Sequence, residues 1–304
     1  MSPTLVELAS RHLPAMLDIL RCTVYTNSLD VEWLHYRSLG DPSCPPSLSL
    51  AVEVDGDMVG FVVCRLRNNE GAIKMFAVAP AYRRQGLAST LFDELEARLR
   101  SLCVRQVTVG ALGPNYFAPG VDLRSTDAIS FLLHRGYATD RNTRVDMVVD
   151  LQHADLETTQ DEERLRADGV TIRRANRADL PNVAAFALHH FSEGWRSEIL
   201  ETARFNPLPL FIATAGTEVI GFAAYDVTGL IRFGPTGTRP DYRRRGIGGV
   251  LLKKCLQALR DRGEPIGEIS WAGPIGFYAR TVGAQIGKSY WLFTKNLEAE
   301  DSAG

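Results

Sequence analysis

The sequence predicts an α+β protein made of two tandem copies of one domain, and three observations predict it. The segment PAYRRQGLA at 80–88 returns as PDYRRRGIG at 240–248, so that Pro80, Tyr82, Arg83, Arg84 and Gly86 are matched by Pro240, Tyr242, Arg243, Arg244 and Gly246. Upstream, DMVGFVV at 57–63 is answered, at an offset longer by one residue, by EVIGFAA at 218–224. The chain's 304 residues also exceed the about 100–200 usual for a single domain. Self-similarity at one offset marks a duplicated unit.

Each copy presents its elements in one order. A strand and an amphipathic helix open it, VELASRHLPAMLDIL in the first copy and VTIRRANRADLPNVAAFAL in the second. A hairpin follows, SLAVEV and MVGFVVCRL joined by DGD, then FIATA and VIGFAAYDV joined by GTE. A strand (IKMFAV or LIRFG) leads into the arginine and glycine turn and then a helix, STLFDELEARLR or GVLLKKCLQALR, with apolar residues at helical spacing. A further strand (QVTVG or GEISW), a short helix and a closing strand (RVDMVVDL or YWLFTKNL) finish the unit. Hairpins mixed with helices imply a mixed, mostly antiparallel sheet flanked by helices. The first domain is read as 1–150 and the second as 169–304. Between them LQHADLETTQDEERLRAD, acidic and poor in apolar residues, is read as a linker with some helical character.

Composition narrows the function. Apolar residues make up 45% and charged residues 23%, a balance that supports a buried core. A formal net charge of -2 supplies no basic field for nucleic acid, so no nucleic-acid partner is expected. Cys22, Cys44, Cys64, Cys103 and Cys255 show neither paired spacing nor a CxxC motif, which argues against a disulfide framework and a zinc site; no metal is expected. The opening MSPTLVELASRHLPAML lacks a basic n-region, and no apolar run approaches the about 18 residues of a membrane span. A cytoplasmic protein without a membrane partner is the expectation.

The stretch YRRRGIGGVLL at 242–252 sets three arginines beside Gly246, Gly248 and Gly249 at a helix start. Glycine leaves the amides of the first helical turn open to close approach, and those amides with the macrodipole favour an anion. Arginines add forked donors suited to phosphate oxygens. The plainer alternative is a tightly packed helix N-terminus with solubilising arginines.

Strand, Arg-x-x-Gly-x-Gly/Ala, then amphipathic helix resembles the acyl-CoA pyrophosphate loop of the GNAT N-acetyltransferase superfamily, and both copies hold it: Arg83, Gly86 and Ala88, then Arg243, Gly246 and Gly248. The resemblance covers nearly the whole chain outside the linker. It implies two tandem GNAT domains, each with a splayed central strand pair, and acetyl-CoA as acyl donor. The cofactor-binding residues it implies are Val78, Arg83, Arg84, Gln85, Gly86, Leu87 and Ala88 in the first copy. In the second they are Gly237, Thr238, Arg243, Arg244, Arg245, Gly246, Ile247, Gly248 and Gly249. Glycine and proline in IRFGPTGTRP fit the splay, with a bulged edge strand as the alternative; the N–H near Gly237 or Thr238 would polarise the thioester carbonyl.

Family enzymes often use a tyrosine on the late helix to protonate the leaving thiolate. In IGFYARTVGA that position falls to Tyr278, one residue farther from Gly283 than the common pattern, with a packing role as the alternative. In AISFLLHRGY the first copy places Leu132 there. Glu268 is the first candidate for general base, ahead of Asp226 and Asp241; His134, His189 and His190 have no evident partner. The loop GALGPNYFAPGVDLRST is longer than its counterpart and would either cover an acceptor site or pack between domains. PNYFAPGVD and WAGPIGFYAR are similar to segments of bacterial tandem members, some of which acetylate amino sugars, and the two-copy layout is that of mycothiol synthase, whose C-terminal half is catalytic. The expectation is acetyl transfer from acetyl-CoA to the primary amine of a small molecule, mainly in the second domain. A protein or peptide N-acetyltransferase and a noncatalytic acyl-CoA sensor are the alternatives.

Overall fold

The computed structural model describes residues 3–23, 29–110 and 115–298. In chain order the elements are β1 (Thr4–Glu7), α1 (Leu13–Thr23), α2 (Val31–Arg37), β2 (Ser49–Val54), β3 (Asp57–Arg67), β4 (Glu70–Val78), α3 (Leu87–Ser101), β5 (Gln106–Val109), β6 (Val121–Asp122), α4 (Thr126–His134) and β7 (Arg144–Asp150). There follow α5 (Thr159–Ala167), β8 (Val170–Arg174), α6 (Leu180–His190), α7 (Glu193–Glu201), β9 (Leu210–Ala215), β10 (Glu218–Tyr225), β11 (Arg232–Thr238), α8 (Ile247–Asp261), β12 (Ile266–Ile269), α9 (Ile275–Val282), β13 (Gln285–Trp291) and β14 (Phe293–Asn296). No helix among the described residues is long and apolar enough to cross a membrane.

The chain forms two compact units. The sheet of the first runs β1-β2-β3-β4-β5-β14, antiparallel except where β4 meets β5. Strand alternation puts Val52, Val62 and Ile73 on one face against Leu91, Phe92 and Leu95 of α3. Ala51, Phe61 and Met75 face Met16, Leu20 and Leu34 of α1 and α2 on the other.

The second sheet runs β13-β7-β12-β11-β10-β9-β8, parallel between β11 and β12 and antiparallel from β11 through β10 and β9 to β8 and between β12 and β7, with β6 added antiparallel to β13 at Tyr290 and Trp291. One face carries Ala223, Tyr225, Phe233 and Ile269 against α8 and α9, the other Phe222 and Ala224 against Phe186, Ile199 and neighbours on α6 and α7. Both units are thus helix, sheet, helix sandwiches.

The structure departs from the sequence reading in two places. A first copy closed at 150 by its own last strand is not what pairs: β7 hydrogen-bonds to β12 in the second sheet, and β14 supplies the strand beside β5 in the first. Neither closing run, RVDMVVDL or YWLFTKNL, carries a side-chain pattern that assigns it to one sheet, and backbone pairing is invisible in the sequence.

The acidic segment 151–168 is no free tether. Leu151, Leu156 and Leu165 are buried in the second unit's core, each apolar side chain contributing about 1.5–3 kcal/mol. Its acids answer a basic face of α8: Glu162 meets Lys254 at 2.6 Å, while Lys253 reaches Asp155 at 3.3 Å and the Glu157 carbonyl at 3.1 Å.

Candidate active site

In both units the strand before the glycine loop ends in a single helical turn, Pro80–Tyr82 or Pro240–Tyr242. The next residue is extended, the middle arginine is left-handed (Arg84 φ 59°, Arg244 φ 62°), and the glycine that caps the helix is left-handed too (Gly86 φ 83°, Gly246 φ 91°). No side chain caps α3 or α8 and neither first turn holds an acid, so the leading amides are left to water or to an anion.

The loop arginines divide their work. Arg83 and Arg243 tie the loop back to its strand, each donating Nε to the last strand carbonyl, Val78 at 3.3 Å and Thr238 at 3.1 Å. Gln85 and Arg245 return to the turn, donating to the carbonyls of Ala81 and Asp241, and Arg245 also stacks 4.8 Å over Tyr242. Arg84 and Arg244 are exposed and form no side-chain hydrogen bond with the described residues; Arg243 and Arg245 are exposed as well. Leu87 and Ile247 point into the cores, so only their backbones are available to a ligand.

Gly248 and Gly249 have a further neighbour. Methyl carbons built on them would stand 3.7 Å from Phe277 and 3.6 Å from Thr281 of α9, ordinary contacts, so these glycines let α9 lie close to the start of α8 without being forced by it. Ala88 takes the Gly248 position in the first unit.

The predicted splay is present twice. β4 pairs with β5 from Glu70 to Ile73, and β11 pairs with β12 only at Arg232 and Phe233. Beyond these points, residues 74–78 and 234–238 continue on β3 and β10 alone. Each therefore leaves a strand edge open on the side that leads to the glycine loop. Gly237 and Thr238 lie on that edge in the second unit. One face of Gly237 is covered by Phe191: a carbon added there would stand 2.3 Å from the ring. Phe191 is held by Trp195, stacked at 4.8 Å, with Phe222 and Phe186 edge-on at 5.9 and 6.0 Å. This aromatic cluster went unread in the sequence, although FALHHF followed by Trp195 is its trace.

Tyr278 of α9 stands where the ladder ends. Its ring lies edge-on to Phe233, the last β11 residue paired with β12, at 6.1 Å. The side chain is 6% exposed, and burial pushes the phenol up to about 12, so it stays protonated at neutral pH. Its hydroxyl forms no hydrogen bond with any described residue and is not among the polar atoms sealed from solvent without a partner. In the first unit α4 presents Phe131, packed with Phe92 and Phe76, and the fully buried Leu132; neither carries a hydroxyl.

Glu268, expected as general base, is instead the centre of an ion-pair cluster. Arg232 Nε donates to one carboxylate oxygen at 3.1 Å and Lys288 Nζ to the other at 2.6 Å. Burial raises its pKa, but these cations outweigh burial and hold the group below its ordinary value of 4.5. A carboxylate so compensated is a weak proton acceptor. Arg232 and Lys288 lie far from Glu268 in sequence, on β11 and β13, so no local pattern announces the cluster. Asp226 is bound by Arg262 and by the Ile231 amide, and Asp241 by Arg239.

His134 bonds within its own helix, while His189 and His190 meet edge to face and His190 lies tilted against Phe186. Of the long loop, 111–114 lie outside the described residues. Tyr116 is buried, its carbonyl accepting from Arg37, and Phe117 rests on Trp33 at 5.6 Å, so this part packs on α2 within the first unit.

The model of the acetyltransferase (GNAT) family matches residues 13–118 and 172–283, one stretch per copy. None of the curated proteins compared with the chain by sequence matches it. Among solved structures, the glucosamine N-acetyltransferase region of a fungal multi-domain GH3 β-N-acetylglucosaminidase superposes with TM-score 0.78 at 18% identity, covering 97% of this chain; the chain spans only 38% of that one. A GCN5-related N-acetyltransferase from Sphaerobacter thermophilus gives 0.71 at 18% identity, covering 98% of this chain and 96% of that one. A tandem GNAT protein from the clavulanic acid biosynthesis pathway gives 0.72 at 15% identity, covering 99% and 100%. These likenesses establish the fold, and the family match on both copies establishes membership. The chain belongs to the GNAT acetyltransferase family, as a tandem member with two such domains.

Proposed function

We propose that the second unit transfers the acetyl group of acetyl-CoA to the primary amine of a small molecule, with Tyr278 as general acid. The observation that carries this reading is Tyr278 at the point where β11 and β12 part, protonated and without a partner. The loop amides and Arg244 would receive the phosphates, and the open edge at 234–238 would align the pantetheine arm. The N–H groups near Gly237 and Thr238 would stabilise the carbonyl oxygen as charge builds on it. The amine nitrogen bonds to the carbonyl carbon as the carbon–sulfur bond breaks. Tyr278 gives its proton to the departing sulfur and regains one from solvent, which takes the proton lost by the amine. Glu268 keeps Arg232 and Lys288 in place rather than accepting that proton.

The first unit keeps the loop and the splay without the acid. Asp127 sits 3.3 Å from Arg83, Gln85 replaces Arg245, and Phe76, Phe92 and Phe131 crowd beside its open strand. Its role in this reading is structural or regulatory.

Calorimetric titration with acetyl-CoA of the wild type, Gly86→Asp and Gly246→Asp tests the assignment, with release of free CoA followed over a panel of amines that includes glucosamine, peptide N-termini and lysine. Loss of binding and turnover with the Gly246 change alone supports it. Binding without turnover of any amine favours a sensor, turnover of peptides alone favours a protein acetyltransferase, and a wild type that binds no acetyl-CoA defeats the reading.

A further inference from the structure

An arginine from outside the loop motif, Arg164, reaches the second unit's capping glycine. α5 is docked on the second unit through buried Leu165, the Glu162–Lys254 pair and the bond from Gln257 to the Leu156 carbonyl. This docking carries Arg164 to the loop. Its Nη1 donates to the Arg245 carbonyl at 3.1 Å, its Nη2 donates to Asp161 at 2.8 Å, and Nη2 lies 2.7 Å from where a methyl carbon on Gly246 would stand. Asp161 is the other charged group there, 4.0 Å from the same point, and Arg164 neutralises it.

A guanidinium offers five N–H donors, and these two bonds leave the rest for a ligand. The side chain is half exposed, so a ligand can reach it. Arg243 and Arg245 are likewise partly committed, to Thr238, Asp241 and Tyr242, so Arg164 adds donors to the same loop. Among the described residues nothing comparable stands over the first unit's loop: apart from its own chain neighbours and helix backbone, no atom lies within 4 Å of a carbon built on Gly86.

We propose that Arg164 is a phosphate-binding side chain of the second unit's acyl-CoA site, so that the docked segment 151–168 completes that site and favours the second copy over the first. This rests on the reading above that the loop takes acyl-CoA. A cation held by a folded segment is ordered before the ligand arrives and loses little freedom on binding. It is placed to share a phosphate with the amides of Gly246 and its successors.

The test is calorimetry on the full chain with acetyl-CoA and, separately, with S-acetylpantetheine, which carries no phosphate, for the wild type, Arg164→Ala and Arg164→Lys. Arg164→Ala should bind acetyl-CoA about tenfold more weakly, the loss expected of one charge-assisted hydrogen bond, with a shallower dependence on salt. Arg164→Lys should recover part of the loss, and S-acetylpantetheine affinity should not change. Equal acetyl-CoA affinity in wild type and Arg164→Ala overturns the proposal. So does tighter binding by Arg164→Ala, which would make Arg164 a plug over the loop, and so does equal weakening toward both ligands, which would mean the site as a whole is disturbed. A wild type that binds no acetyl-CoA is a separate result that removes the underlying reading.

Discussion

Gly237→Ala puts a methyl group where the Phe191 ring now sits. The added carbon would stand 2.3, 2.6 and 2.9 Å from three ring atoms, whereas ordinary contact begins near 3.4 Å. The ring must therefore retreat by about an ångström, a displacement of the size that overpacking forces on a filled core. Trp195 stacks on one side of it, and Phe186 and Phe222 close the others, so moving the ring disturbs the whole cluster. Overpacking of this kind costs about 1–3 kcal/mol, against about 0.5 kcal/mol gained by replacing glycine within a strand. The expected net effect is a destabilisation of about 1–2 kcal/mol, read from urea unfolding together with a change in Trp195 fluorescence. Gly249→Ala is the control, because its added carbon meets Thr281 at an unstrained 3.6 Å; it should be neutral or stabilising by up to about 1 kcal/mol. A Gly237→Ala protein as stable as the wild type, with unaltered tryptophan emission, would refute the placement of Phe191 on the open strand.

Three further outcomes are expected. Lys74 and Asp41 of the first unit form a buried pair at 2.6 Å, so Lys74→Met should cost about 3–5 kcal/mol in denaturant titrations by removing the cation from a buried carboxylate that Ser43 also bonds. Glu268→Gln should destabilise the second unit by about 3 kcal/mol at neutral pH by leaving Arg232 and Lys288 uncompensated. Because folding lowers the Glu268 pKa from 4.5, its contribution is full above that value and is lost as pH falls through the lower folded one. The stability gap between variant and wild type should therefore narrow on acidification, and a gap that widens would contradict the cluster. Gly86→Ala meets no neighbour but must adopt φ near 83°, so it should cost about 1–2 kcal/mol from backbone strain alone.

The duplication, the strand splay and the glycine loop were legible because each is written locally. A left-handed glycine between an arginine turn and an amphipathic helix leaves its mark within ten residues, and Gly234, Pro235 and Gly237 mark a strand whose ladder ends. What stayed hidden depends on partners distant in the chain. Nothing in the side chains of β7 or β14 names its partner strand, so their sheets are decided by backbone pairing. The segment 151–168 reads as a tether because three buried leucines are scattered among acids, and the Lys253 and Lys254 face that those acids match lies on α8. Glu268 looked available because its cations come from β11 and β13. Tyr278 was found through its helix, but only the ring contact with Phe233 places it where the strands part.

The central claim is chemical catalysis by Tyr278 in the second unit, and Tyr278→Phe tests it most directly. The hydroxyl forms no hydrogen bond with the described residues, so its removal should leave both the unfolding midpoint and acetyl-CoA affinity unchanged. kcat should nonetheless fall by about a hundredfold or more, the contribution of a positioned general acid. A variant that keeps its full kcat would contradict it and return Tyr278 to a packing role.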